Sequence, residues 1–443
     1  MPETASIQPA QRTRALCLAT FSLTVCVALW VIFSIVGLEL QRELALTDTQ
    51  YGLLVAVPIL TGSLSRLALG IWAEVVGARR VQSVLMLVVA GFAFALPMAS
   101  SYAMLLLLGL GLGLAGGAFA VGVVYVSAWY PPEKQGVALG LFGMGNVGTA
   151  VTSMAAPLLL TIMDWRHVVW VYAGVMLVSA CVFYLLAQPQ PIKRLTDGKV
   201  NWHDRLDPLR SFQVWSFSVY YFLVFGGFVA LAGWLPRFYM GVYGVDIQTA
   251  GLLAASFLIP ATLFRSVGGM LSDRYGARRM MYISFSTCAV AFFFLSYPNT
   301  HYVVEGINGP IPFSIVPHMS VRALVLAVMG MTMSLGMAAV FKHIPEYYPQ
   351  HVGAVGGVVS MIGGLGGFFF PIAFGAMNDL VGIWTSCFML LFIVSVTNLL
   401  WMHFSILYMN RRRFPMIIHD TDLPEIMRAR MRREKTQSNQ NPH

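Results

Sequence analysis

Two stretches decide the fold: RLALGIWAEVVGARR at 66–80 and RSVGGMLSDRYGARR at 265–279. A shift of 199 residues superposes Arg66 on Arg265, Gly70 on Gly269, Glu74 on Asp273 and one GARR on the other. Each copy starts with an arginine inside an apolar run and ends in a basic turn. A repeat at this separation points to two copies of one multi-element unit.

The surroundings are those of a membrane protein. Of 443 residues, 57% are hydrophobic and 11% charged, where a soluble chain carries about 25% charged residues. Runs at 15–38, 51–72, 81–99, 103–128, 137–162, 168–187, 217–235, 250–271, 280–295, 323–340, 352–377 and 383–407 approach the length that crosses a bilayer, about 17–25 residues. The first run follows Arg12 and Arg14 but is too long for a signal-peptide core and lacks a small-x-small cleavage site.

The expected fold is therefore an all-α polytopic membrane protein with 12 transmembrane helices in two pseudo-symmetric six-helix halves. The halves are read as 1–187 and 212–409, joined by a polar linker at 188–211 and followed by a basic tail at 410–443. The two GARR copies end spans two and eight, so they point the same way. That is a parallel repeat about an axis along the membrane normal, a transporter architecture. With both termini cytoplasmic, 22 of the 28 Lys and Arg lie inside and four (Arg42, Arg166, Arg237, Arg322) outside. This split accounts for the net charge of +9 without nucleic acid, and the tail segment NRRRF suits anionic headgroups.

The five cysteines fall inside spans without metal-ligand spacing and read as packing residues. No nucleophile–base pair, metal cluster or cofactor loop stands out. The expectation is a monomer in the bilayer, not an enzyme, with neither metal nor cofactor.

Arg66 and Arg265 each stand eight residues before the acid of the basic turn, about 12 Å into the membrane at 1.5 Å per residue. A guanidinium there is costly unless it faces protein, water or an anion. The spans supply no mid-depth acid: Glu39, Glu74, Asp273, Glu346 and Asp379 all fall near span ends. A bound anion is the economical counterion, with pairing to carbonyls and waters as the structural alternative. Arginine's planar fork suits a planar oxyanion and keeps its charge. Two forks, one from each half, would clamp a small oxyanion on the pseudo-two-fold axis. Asn146 on span five could add a donor, or serve helix–helix bonding. The turns (Gly70, Glu74, Gly77, Arg79, Arg80; Gly269, Asp273, Gly276, Arg278, Arg279) could latch one conformation, or simply carry positive-inside charge.

A looser repeat links PPEKQGVALGLFGMGNVGTAVTSMAAP (131–157) with PQHVGAVGGVVSMIGGLGGFFFP (349–371), both glycine-rich and ending in proline. Such glycines let backbones approach closely, and helix packing explains most of them.

The paired GARR elements resemble the loop motif of the major facilitator superfamily. GLFGMGNVGTA, with Gly143, Gly145, Asn146 and Gly148, resembles the signature of the nitrate/nitrite porter family within it. GGVVSMIGGLGGFFFP, with Gly363, Gly364 and Gly366, is similar to that family's second signature. The resemblance covers nearly the whole chain and implies the major facilitator fold. It implies that Arg66 and Arg265 bind nitrate or nitrite, with Asn146 as the signature asparagine. It also implies that Phe119, Tyr221, Phe225 and Phe341 sandwich the flat anion. Glu74 departs mildly from the family's usual Asp. The loop at 297–319 is longer than a compact porter needs and carries no assigned role.

Two facing cations favour closure around an anion, hence nitrate/nitrite exchange. Inward anion movement against an inside-negative potential instead needs more than one proton. Glu39, Lys342, His343 and Glu346 are the candidate carriers, each with an ordinary reading as an interfacial residue. The similarity leans toward the proton-symport branch. The expectation is thus proton-coupled nitrate uptake at the inner (plasma) membrane, serving nitrate assimilation. Exchange, or carriage of another small organic anion, are the alternatives.

Overall fold

A computed structural model describes residues 8–130, 132–189, 211–347 and 352–413. Within them, the side chains of Glu74, 132–136, Asp273, 345–346, 352–354 and 409–413 lie outside the described residues, as does most of the proposed linker and tail.

Among the described residues, twelve helices are long and apolar enough to cross a membrane: α1 (Pro9–Trp30), α2 (Asp48–Trp72), α3 (Val75–Met98), α4 (Tyr102–Trp129), α5 (Val137–Leu160), α6 (Trp165–Leu186), α7 (Phe212–Tyr243), α8 (Ile247–Ser272), α9 (Ala277–Ser296), α10 (Met319–Ile344), α11 (Val355–Val381) and α12 (Ser386–Tyr408). One expectation needs correction. Span one ends at Trp30 rather than at residue 38; a short 3₁₀ turn, Ile32–Ser34, then leads into a separate helix, Val36–Glu43. That helix carries Glu39 and Arg42, bonded to each other at 3.0 Å, so its polar end leaves the apolar run. The long loop before α10 is an antiparallel hairpin, β1 (Thr300–Gly306) and β2 (Gly309–Ile315), turning at Ile307–Asn308. Tyr302 stacks on its cross-strand partner Phe313 at 5.1 Å. The hairpin marks one end of the bundle and the GARR turns mark the other.

The repeat extends beyond its motif. Thr47 caps α2 and Asp246 caps α8, each accepting a backbone N–H of the first turn, at the same 199-residue offset. Gly52 and Gly251 keep that offset. Both are close-approach points: a Cβ on Gly52 would strike the Pro371 carbonyl of α11, and one on Gly251 the Ser153 carbonyl of α5. Thus α2 meets α11, and α5 meets α8, backbone to backbone near the hairpin end. At the far end Gly77 and Gly276 turn the chain with φ of 105° and 89°, values that β-carbon sterics disfavour.

Several spans lose α-helical regularity partway along. α4 tightens to 3₁₀ at Leu114–Gly117, α5 at Met144–Val147, and α7 widens to a π-turn at Phe222–Gly226. Such interruptions free carbonyls and re-aim side chains, and they concentrate at functional sites.

Candidate functional site

Arg66 is 3% exposed and Arg265 half-buried. One aromatic ring links them: Phe119 of α4 lies 5.7 Å from the guanidinium carbon of each. Phe225, on the α7 π-turn, lies 5.1 Å from Arg66. Tyr221 stacks on Phe225 at 5.1 Å and accepts a hydrogen bond from Arg265 Nη2 at 3.1 Å. Phe341 meets Tyr221 edge-on at 4.9 Å. The structure therefore brings together both arginines and all four expected aromatics.

Arg66 Nε donates to the Gly116 carbonyl (3.3 Å), in the 3₁₀ segment of α4, and Nη1 to the Ser360 carbonyl (3.0 Å) of α11. Carbonyl pairing, one of the two sequence readings, accounts for these two donors. A guanidinium has five N–H groups, so the bonds leave capacity for an anion. Among the described residues, the arginines that form ion pairs are Arg42, Arg166 and Arg237, all at the hairpin end.

Asn146 is buried, and its amide donates to the Gly143 carbonyl at 2.9 Å. It thereby braces the 3₁₀ turn of α5. Gly143 abuts Arg265, since an added Cβ would sit 3.4 Å from its Nε. Asn146 thus supports the segment beside Arg265 rather than bonding either arginine among the described residues. The other signature glycines are chiefly sites of close packing. A Cβ on Gly145 would meet Leu23, one on Gly148 the Thr24 carbonyl, and one on Gly366 the Phe222 carbonyl. Gly363 makes room for the Tyr221 ring, and Gly364 for Ser63 beside Arg66.

Three contributors escaped the sequence reading. Trp30 lies 5.9 Å from the Arg66 guanidinium, and its indole N–H is fixed on the Pro58 carbonyl at 2.9 Å. Phe142 stacks behind Phe119 at 5.6 Å. Ser63, one turn before Arg66, is fully buried with no partner for its hydroxyl. A lone Trp in the first span was the only available signal.

Two arginines of the GARR turns contact residues of their own halves. Arg79 donates from Nε and Nη2 to the Tyr184 carbonyl (3.0 and 2.6 Å) near the end of α6, with its guanidinium 4.7 Å from the Tyr184 ring. Arg278 lines a small cavity with His343, Phe217 and Tyr347. The expected latch through Glu74 and Asp273 falls on side chains outside the described residues.

The opposite end holds a bridge between halves. Arg237 of α7 pairs with Asp48 of α2 at 2.8 Å. Asp48 also accepts from Gln41 (2.8 Å) and from Asn378 of α11. Asp379 of α11 accepts from the backbone N–H groups of Asp48 (3.2 Å) and Thr49 (2.8 Å) and from the Thr49 hydroxyl.

A twelve-span fold, a parallel repeat and a central arginine pair together describe a multi-pass membrane transporter. Residues 16–301 and 238–417 match the model of the Major Facilitator Superfamily, and the chain belongs to that superfamily. Within it, the chain is a member of the nitrate/nitrite porter family. It is 38% identical over 427 residues to the probable nitrate/nitrite antiporter NarK1 of Thermus thermophilus, covering 93% of this chain and 96% of the relative. It is 30% identical over 392 residues to the nitrite extrusion protein of Bacillus subtilis (strain 168), covering 88% and 94%. Against the probable nitrate transporter NarT of Staphylococcus haemolyticus (strain JCSC1435) it is 30% identical over 382 residues, covering 86% and 94%. Among solved structures, the fold is similar to a bacterial homologue of the human lysosomal transporter Spinster, inward-facing and occupied, with TM-score 0.63 and 18% identity, covering 92% and 98%. It is also similar to the nucleoside transporter NupG, with TM-score 0.66 and 15% identity, covering 89% and 99%.

Proposed function

We propose that this chain is a secondary active transporter that moves nitrate or nitrite across the plasma membrane by alternating access, with the GARR end and both termini cytoplasmic. The observation that carries the reading is Phe119, equidistant at 5.7 Å from two guanidinium groups contributed by matching spans of the repeat. A flat monovalent oxyanion would bridge the two forks beside the rings of Phe119 and Phe225. Tyr221 accepts from Arg265, so its own O–H is free to donate to the anion.

The six-helix halves, proposed as 1–187 and 212–409, would rock about this point. The Asp48–Arg237 bridge and the Gly52 and Gly251 contacts close the hairpin end. Opening that end requires breaking them. Closure of two facing cations is electrostatically favoured with an anion between them.

Proton-coupled uptake is the first reading of the energetics. Its candidate carrier His343 is buried two residues from Phe341 and stacks on Phe217 at 5.5 Å. Nitrate/nitrite exchange is the second reading. It is favoured by the absence of an ion pair to Arg66 or Arg265 among the described residues, and by the likeness to the probable nitrate/nitrite antiporter of Thermus thermophilus.

Reconstituted vesicles separate the two. Nitrate uptake driven by an imposed pH gradient with no internal anion establishes symport. Uptake only with internal nitrite establishes exchange. If nitrate and nitrite are neither transported nor competed for, the whole reading fails.

A further inference from the structure

A second cation is buried at the hairpin end. Arg322 opens α10 and is 2% exposed. Its Nη2 donates to the Tyr297 carbonyl (3.3 Å) and to Asn299 Oδ1 (3.1 Å). Its Nη1 is buried with no acceptor. The guanidinium lies 5.8 Å from the Phe238 ring and 5.7 Å from that of Tyr243. It forms no ion pair among the described residues.

Its neighbours carry the same imbalance. The Tyr239 hydroxyl is buried without a partner, and its ring stacks on Tyr243 at 6.2 Å. Thr385 and Ser386 lead into α12, and both hydroxyls are buried without partners. They precede Phe388, whose ring meets Phe238, the ring beside Arg322, edge-on at 5.0 Å. A guanidinium offers only donors, and each hydroxyl can donate. Rings and carbonyls relieve part of the cost of burying the charge. A water could accept from Nη1 but would leave the charge uncompensated.

We propose that Arg322, with the hydroxyls of Tyr239, Thr385 and Ser386, forms a site for a small monovalent anion of the halide class, separate from the Arg66–Arg265 pair. A halide accepts from every direction and presents no donor of its own, which matches a wall of donors. The site lies within one half, so it would stabilise the packing of α7, α10 and α12 rather than follow the transport cycle.

The test uses the purified full-length protein. Bromide is titrated against gluconate at constant ionic strength while the unfolding temperature is recorded. Bromide should raise that temperature in the wild type and in Arg66→Gln. Arg322→Gln should need at least about ten-fold more bromide for the same rise, by ordinary binding linkage. An unchanged bromide response in Arg322→Gln overturns the proposal, and so does loss of the response in Arg66→Gln alone. Should Arg322→Gln fail to fold, bromide-soaked crystals of the wild type decide. An anomalous peak in hydrogen-bond contact with Arg322 supports the site, and its absence there refutes it.

Discussion

Asp48 and Arg237 form an ion pair, Oδ1 to Nη2 at 2.8 Å, that fastens α2 to α7 at the hairpin end. Their side chains are 11% and 25% exposed, so the pair is better shielded than a surface bridge. Asp48→Asn should weaken closure of this end by about 1–2 kcal/mol, roughly a ten-fold change in the conformer ratio. Spin labels on Leu44→Cys and Leu380→Cys, with Cys17 and Cys181 replaced by Ser, would report a longer distance population. An unchanged distribution would remove the pair from the gate.

Arg66→Lys and Arg265→Lys keep the charge and lose the fork. Each should weaken nitrate binding at least about 30-fold, the ~2 kcal/mol expected for losing a charged bidentate contact. Binding to purified protein, alongside a size-exclusion profile, measures this. Near-normal affinity in either variant would sink the clamp.

Phe119 should behave as a shared element. Phe119→Leu keeps the bulk and removes the π face over both guanidinium groups, for a loss of about ten-fold in affinity. Phe119→Tyr retains the face and should lose less. Equal effects from the two substitutions would mean the ring is only filler.

Gly52→Ala and Gly251→Ala place a methyl against a backbone carbonyl of the other half. Backbone cannot step aside as a side chain can. Both variants should insert normally, keep nitrate affinity within about three-fold and lose transport by at least about ten-fold, because a strain of only ~1–3 kcal/mol at the closed end suffices. Full transport in both would show that this end closes by another route.

Glu43 lies outside the spans. The hydrogen bond from Arg166, helped by one from Trp165, holds its carboxyl below the usual range. Its stabilising contribution is therefore complete above the unfolded value of about 4.3 and is lost as pH falls through the lower, folded value. The carboxylate is 44% exposed, so Glu43→Gln should cost roughly 0.5 kcal/mol or less at neutral pH. The difference in unfolding temperature from wild type should shrink as pH falls and vanish once pH is below the folded value. A difference that persists there would point to packing instead of charge.

The arginine pair was legible because a charge inside an apolar run is an exception that composition cannot absorb. Its repetition at one fixed offset gave it a partner. The aromatics came through resemblance, since one Phe in a span looks like any other. Trp30 and Ser63 stayed hidden because their roles depend on neighbours brought in by packing. The Gly116 and Ser360 carbonyls are invisible in any sequence, since every residue has one. The hairpin was obscured by Pro310 and Pro312 in β2, residues that argue against a strand. The break after Trp30 was missed because hydrophobicity continues through it to Leu38.

Gly77 and Gly276 have open space where a side chain would begin, with nothing within 4 Å, yet both hold a backbone angle that other residues adopt only under strain. The two halves thus share an inheritance written in torsion rather than in touch. Even alanine at either glycine would carry that strain without touching anything. In a map of mutational tolerance these positions would stand out as a matched pair of forbidden sites, one in each half.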